Sequence, residues 1–244
     1  MNDIIQQLQQ HRSVRAFSDK KLTDEQLDSI MEAAIQAPNW INGQQVSVVV
    51  VTDSERKRKL ATLSGNQKHV DDAAALLVFC MDYSRNKQAA AMHNKEIAVM
   101  EDIEAVIVGS TDVGIALGTA VAAAESMGLG TVPIGGVRRR PAEVTELLEL
   151  PALAFPISGL AVGYSAEPAS TPRPRIPMDA FYHKETYKQN QQEAVDEMDK
   201  KQQEATGVVS EYPWSERIAA FYADYYKEYR HVAEALKQQG YNYK

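Results

Sequence analysis

The chain has 244 residues, enough for one large domain or for one domain with an extension. Hydrophobic residues make up 44% and charged residues 24%, the balance of an ordinary globular protein rather than a disordered or fibrous one. The formal net charge of −7 repels polyanions, which argues against nucleic acid and membrane surfaces as partners; an anionic ligand needs a local cluster of cations and backbone N–H groups.

Residues 1–11 read as a helix, and Ser13-Val14-Arg15-Ala16-Phe17 alternates as an extended segment does, with Ser13, Arg15 and Phe17 pointing the same way. Thr23-Asp24-Glu25-Gln26 is a capping box; Leu27, Ile30, Met31 and Ala34 share the helical face that follows, and Pro38 stops the helix. The β-branched run from Val46 to Val51 reads as a central strand. A short helix over 55–63 ends near Gly65 and precedes a strand over 75–82. That strand holds the single cysteine, Cys80, which reads as a core thiol. With no second cysteine there is no intrachain disulfide, which fits a reducing cytoplasm, and Met1-Asn2-Asp3-Ile4 has no signal-peptide pattern.

A polar, helix-prone stretch over 85–104 leads into an apolar helix over 105–127, interrupted by Asp112 and Glu125. Its uncharged centre is too short to span a membrane, and Gly114 and Gly118 read as small residues that permit close packing in a buried helix. A strand then runs to Ile134 and breaks at Gly135-Gly136. Pro141 opens a helix that ends before Pro151, and Ile157 to Val162 is a further strand. Residues 163–177 are rich in Pro and Ser, hence extended. Helices over 188–205 and 214–239 carry sparse apolar stripes, which suits wrapping around the main body or a second subunit. The order reads as α+β, or mixed α/β, in three layers.

Four segments carry chemistry. His11-Arg12-Ser13-Val14-Arg15 sets two guanidinium forks beside a hydroxyl, a set suited to a phosphate or a planar anion; a solvated helix end would have the same composition. In Thr171-Pro172-Arg173-Pro174-Arg175 the prolines force an extended backbone that puts both arginines on one side, as a phosphate clamp or as a polar linker. The glycines of Pro133-Ile134-Gly135-Gly136 let a backbone approach a flat ligand, or simply make a turn. Pro38-Asn39-Trp40-Ile41-Asn42-Gly43-Gln44-Gln45 offers amides for the edge of a heterocycle and an indole for its face, or is an ordinary connection. Histidines 11, 69, 93, 183 and 231 lack metal-ligand spacing, so no metal is expected, and the chain has neither a G-x-S-x-G elbow nor a P-loop.

In this order, with Gly65-Asn66-Gln67-Lys68-His69-Val70, Ala123-Ala124-Glu125-Ser126-Met127-Gly128-Leu129-Gly130, Leu160-Ala161-Val162-Gly163 and Pro174-Arg175-Ile176-Pro177, these segments resemble the nitroreductase family of FMN enzymes. The group they most resemble is the larger NADPH-dependent nitroreductase and flavin reductase branch. The resemblance runs from about residue 4 to 187, with a weaker tail to 244. It implies an α+β three-layer sandwich with a mixed central sheet flanked by helices, and a homodimer with two FMN sites at the subunit interface. It divides the chain into an FMN-binding domain over 1–187 and a helical extension over 188–244 that packs on the same domain or on the partner subunit. By carry-over His11, Arg12, Ser13 and Arg15 contact FMN, Ser13 near the phosphate and Arg15 near the pyrimidine edge. Asn39, Trp40 and Ile41 approach the flavin from the partner. Gln67 is a further contact, Ile134, Gly135 and Gly136 lie along the ring, and Arg173 and Arg175 hold the phosphate.

The implied activity is ping-pong transfer of electrons from NADPH or NADH to nitroaromatics, quinones, azo compounds or free flavin in the cytoplasm. A non-catalytic FMN carrier or redox sensor is the alternative, and a specialised enzyme on the same fold a third. Two departures stand out. The family loop at 39–41 often carries small hydroxyl residues, here replaced by Asn39-Trp40-Ile41. Relatives that prefer NADPH carry arginines before the stretch matched by Trp214-Ser215, whereas this chain has Lys200 and Lys201 and then a neutral, acidic run to Tyr212-Pro213. That run leaves both nicotinamide donors open.

Overall fold

The structure is a computed structural model that describes residues 2–168, 171–206, 213–229 and 231–243; the run over 207–212, where the donor departure falls, lies outside them. In chain order the elements are α1 (Asp3–Gln9), α2 (Asp24–Ile35), β1 (Val46–Val51), α3 (Ser54–Leu63), α4 (Lys68–Asp72), β2 (Ala75–Asp82), α5 (Ser84–Met92), α6 (Glu104–Ser126), β3 (Gly130–Ile134), α7 (Pro141–Leu147) and β4 (Ala154–Gly163), then α8 (Met178–Phe181), α9 (Gln191–Thr206), α10 (Trp214–Ala223) and α11 (Val232–Gln238). They form two compact units, Met1–Ala169 with His231–Lys244, and Ser170–Arg230.

In the first unit the strands order as β1-β2-β4-β3, and all three ladders are antiparallel. The parallel component of the expected mixed sheet is confined to one bridge, Ser13 to Thr131. All eight positions of β2 are buried, so the strand feeds a core on each face. Ala75, Leu77, Phe79 and Met81 pack with residues of α2 and α6. Leu76, Val78 and Cys80 pack with Leu60 of α3, Val70 of α4 and Val144 of α7. Helices on both faces of one sheet make the three layers. The capping box holds: Thr23 accepts the Gln26 N–H at 3.2 Å, and Gln26 Oε1 accepts the Thr23 N–H at 3.1 Å. Burial pushes the Cys80 thiol up to about 12, which makes it an inert core residue.

The structure departs from expectation at several points, each for a local reason. β4 begins three residues before Ile157 and includes Pro156, which pairs with Cys80 where the register shifts; an irregular ladder tolerates a residue with no N–H. The stretch over 85–104 is α5 and a 3-10 turn at Ala98–Glu101, broken at Asn94, whose φ is 53°. The stretch over 214–239 is α10, a 3-10 turn at Tyr225–Tyr229, and α11. Ala235, Leu236 and Tyr241 are buried in the main core, and Tyr241 Oη donates to Leu153 O at 2.7 Å. Strict alternation fails after Arg15, because Val14 and Phe17 are both buried in one core while Arg15 is exposed. Gly114 and Gly118 permit no close packing within the chain: a Cβ at either meets open space, and the α6 glycine in tight contact is Gly109, against Met81.

Candidate functional site

The 11–15 segment is fixed from both sides. The Val14 N–H donates to Thr131 O at 2.9 Å, stitching it to the edge strand β3. His11 Nδ1 lies 2.7 Å from Glu125 Oε1, and Thr131 Oγ1 donates to the same oxygen at 2.7 Å, so one carboxylate at the end of α6 staples the segment to β3. Arg12 and Val14 line a cleft with α1 and with Gly128–Gly130. Arg15, two residues on from Ser13, is instead within electrostatic reach of the 67–69 turn: burial and then the Arg15 charge hold His69 below its ordinary pKa, against the opposing pull of Asp72.

Gln67 stands just before α4. Its Nε2 donates to Ser64 O at 2.9 Å. A Cβ at Gly136 would collide with Ser64 O and fall 2.6 Å from Gln67 Nε2, so the glycine is what lets Gln67 lie against that backbone. A Cβ at Gly135 would meet only the Arg138 guanidinium, at 3.6 Å, which leaves this stretch of backbone open. The Ile134 side chain is buried, so it offers a ligand its backbone alone. Arg138 donates to Ile157 O, tying the 3-10 turn at Gly135–Arg138 to β4. Ser13 thus bridges to Thr131 near the start of β3, Arg15 lies within electrostatic reach of His69, and Gln67 lies against the Gly136 backbone just past the strand's other end.

Asn39, Trp40 and Ile41 are elsewhere. The Trp40 N–H donates to both carboxylate oxygens of Asp112, at 3.2 Å each. Asp112 and Glu125 are thirteen residues apart on α6, about 20 Å at 1.5 Å per residue, so the loop and the His11 segment sit at well-separated levels of one helix. Asp112 is 3% exposed; burial raises its pKa, and the Trp40 N–H opposes that rise. Trp40 is 53% exposed and Ile41 77%.

Arg173 and Arg175 belong to the second unit. Both line a cleft of about 680 Å³ walled by Met178, Phe181, Met198 and Trp214. Arg217 adds a third guanidinium that the sequence reading passed over. The start of α10 is tied to α9 by Ser215, whose N–H and hydroxyl donate to Asp199 at 2.9 and 2.6 Å.

The sequence model of the nitroreductase family matches residues 8–164, and that of the nitroreductase family C-terminal domain matches 173–244. The chain belongs to the nitroreductase family. Within the family it is 46% identical to an NAD(P)H FMN reductase of Bacillus subtilis, over 99% of this chain and 98% of that protein. The solved structure of B. megaterium NfrA2 superposes with a TM-score of 0.94 at 42% identity, each chain fully covered. The NADPH:FMN oxidoreductase of Vibrio harveyi, solved in complex with NAD+, gives a TM-score of 0.87 at 33% identity over 98% of both chains. The four-stranded antiparallel sheet between helices is thus the family's α+β fold.

Sequence reasoning assigned no role to Asp112, Glu125 or His69. For the first two a signal was present: each is an isolated carboxylate in an otherwise apolar helix, and such a group needs a hydrogen-bond donor. His69 had none, since only the fold brings Arg15 to it.

Proposed function

We propose that this chain is an FMN-dependent oxidoreductase. It takes electrons from NADPH or NADH and delivers them to nitroaromatics, quinones, azo compounds or free flavin in a ping-pong cycle. The observation that carries the reading is a row of donors along β3 and the turn after it: Ser13 bridged to Thr131, the Arg15 guanidinium within electrostatic reach of His69, and the Gln67 amide against the Gly136 backbone, next to the open backbone of Gly135. These residues fit FMN, whose phosphate calls for guanidinium and hydroxyl donors and whose ring calls for amides and a flat backbone approach. Bound FMN supplies the two-electron chemistry, so the protein's work is binding, orientation and electrostatics.

In the first unit Arg12 and Ser13 are the residues that would hold a phosphate, with His11 supporting them from its staple to Glu125; in the second unit Arg173 and Arg175 are candidates for the same role. Arg15 directs its charge at the electron-rich edge of the ring. Gln67 is fixed by its bond to Ser64 O and so meets the ring with little entropy left to lose. Asn39, Trp40 and Ile41, about 20 Å away along α6, serve the site of a second subunit, which makes the working unit a homodimer. The exposed side of α6 supports that assembly: Ile107 and Ile115 are exposed at 54% and 38%, with Ile103 at 45% just before the helix, and Gly114 and Gly118 open the same helix to close approach. We read residues 1–187 as the flavin-binding domain and 188–244 as its helical extension, and place the protein in the cytoplasm.

Steady-state kinetics of the FMN-loaded protein with NADPH or NADH and a quinone tests the reading. Parallel double-reciprocal lines are expected. Intersecting lines contradict ping-pong turnover, and no nicotinamide oxidation would put the carrier or sensor in its place.

A further inference from the structure

The turn that carries Trp40 is strained. Ile41, Asn42 and Gln44 have φ of 50°, 56° and 56°, three non-glycine residues in the left-handed region within four positions. For a β-branched isoleucine that conformation is especially unfavourable. Such strain persists only where neighbours over-determine it, and it gathers at functional sites.

The far end of the turn is held several times over. Asn39 Oδ1 accepts the Gln44 N–H at 3.1 Å, Asn86 Nδ2 donates to Gly43 O at 2.7 Å, and Arg85 donates to Gln44 O at 2.6 Å. The near end, at Trp40, is held across the chain by Asp112. This carboxylate is buried in an apolar helix and forms no ion pair among the described residues; its two oxygens share one backbone donor, the Trp40 N–H. Burying a carboxylate is unfavourable, and so is turning an indole and an isoleucine toward solvent.

We propose that Asp112 is a latch that presets the Asn39–Asn42 turn, so that Trp40 and Ile41 stand as a wall of the acceptor pocket in the partner subunit. Asp112 is thereby a positioning residue that governs which planar acceptors bind. The inference rests on the function proposed above and adds the group that sets its acceptor range.

Asp112→Ala and Asp112→Asn in the FMN-loaded protein test it. The alanine variant raises KM for a quinone about tenfold, the effect of losing one charge-assisted hydrogen bond, with kcat changed less than twofold. The asparagine variant keeps an acceptor oxygen and restores KM to within about threefold of the parent. Hydrogen exchange at the Trp40 amide is protected in the parent and in Asp112→Asn, and fast in Asp112→Ala. Parental KM and parental exchange in Asp112→Ala overturn the latch, as does an unprotected Trp40 amide in the parent, a result that stands even if the alanine variant does not fold. The exchange measurement needs no turnover, so a parent that fails to oxidise nicotinamide would refute the proposed function and leave the latch to be decided on its own.

Discussion

Replacing Arg15 by alanine tests the electrostatic side of the site with one side chain. A charge-assisted hydrogen bond is worth about 1.5–3 kcal/mol, and if all of it favours the reduced flavin, the two-electron potential of bound FMN falls by roughly 30–65 mV in the variant. Spectroelectrochemistry showing an unchanged potential removes that role from Arg15. Its neighbour His69 gives a second prediction. Burial and the Arg15 charge depress its folded pKa, so the folded state favours the neutral ring. The stabilisation from this group is full above the unfolded value of about 6.5 and is lost as pH falls from there toward the lower folded value. Titration of the imidazole resonances should give a midpoint below 6.5, and His69→Gln should flatten the fall in stability from pH 7 to pH 5. A midpoint at or above 6.5 contradicts the placement of Arg15. Ser13, Arg15 and the 135–136 glycines stand out in the sequence because Arg, Ser and Gly have recognisable chemistry at short spacing, whereas Gln67 enters only through the family resemblance. The Arg15–His69 pairing was not legible there, because no local pattern joins positions so far apart in the chain.

Elements were legible where one force dominates. β1 and β2 emerge over the residues expected, but only β2 is buried throughout; β1, read as a central strand from its β-branched run, lies at the sheet edge, partly buried and with Val50 exposed, because β-branched residues suit an edge strand as well as a central one. The start of α2 follows from its capping box alone. β4 was read short because Pro156 looks like a stop until the bulge beside Cys80 is known. Phe17 was assigned to the wrong face because the segment joins the sheet by isolated bridges rather than as a regular strand. The turn at Gly135–Arg138 offers a test at this scale. Gly136→Ala places a methyl against Ser64 O and the Gln67 amide, and overpacking of this kind costs roughly 1–3 kcal/mol. Denaturant unfolding of the apo protein should show that loss together with weaker FMN binding. Parental stability would mean that Gln67 moves aside freely and is not fixed as described.

At the scale of the molecule, the proposed reading reconciles a net charge of −7 with an anionic cofactor through local guanidinium groups: Arg12 and Arg15 close together in sequence in one unit, and Arg173, Arg175 and Arg217 lining one cleft in the other. The second requirement is assembly. Light scattering of the parent should report a dimer, and Ile107→Glu, on the exposed face of α6, should shift it toward monomer and weaken FMN binding with it. A monomeric parent with tight FMN binding would contradict a site shared between subunits.

The central claim is tested most directly by anaerobic stopped-flow mixing of the FMN-loaded protein with NADPH and, separately, with NADH, following the flavin absorbance. The account predicts bleaching within the time of one catalytic turnover by at least one donor, and the ratio of the two rates measures recognition of the 2′-phosphate. Bound FMN that neither donor bleaches on that timescale would contradict it.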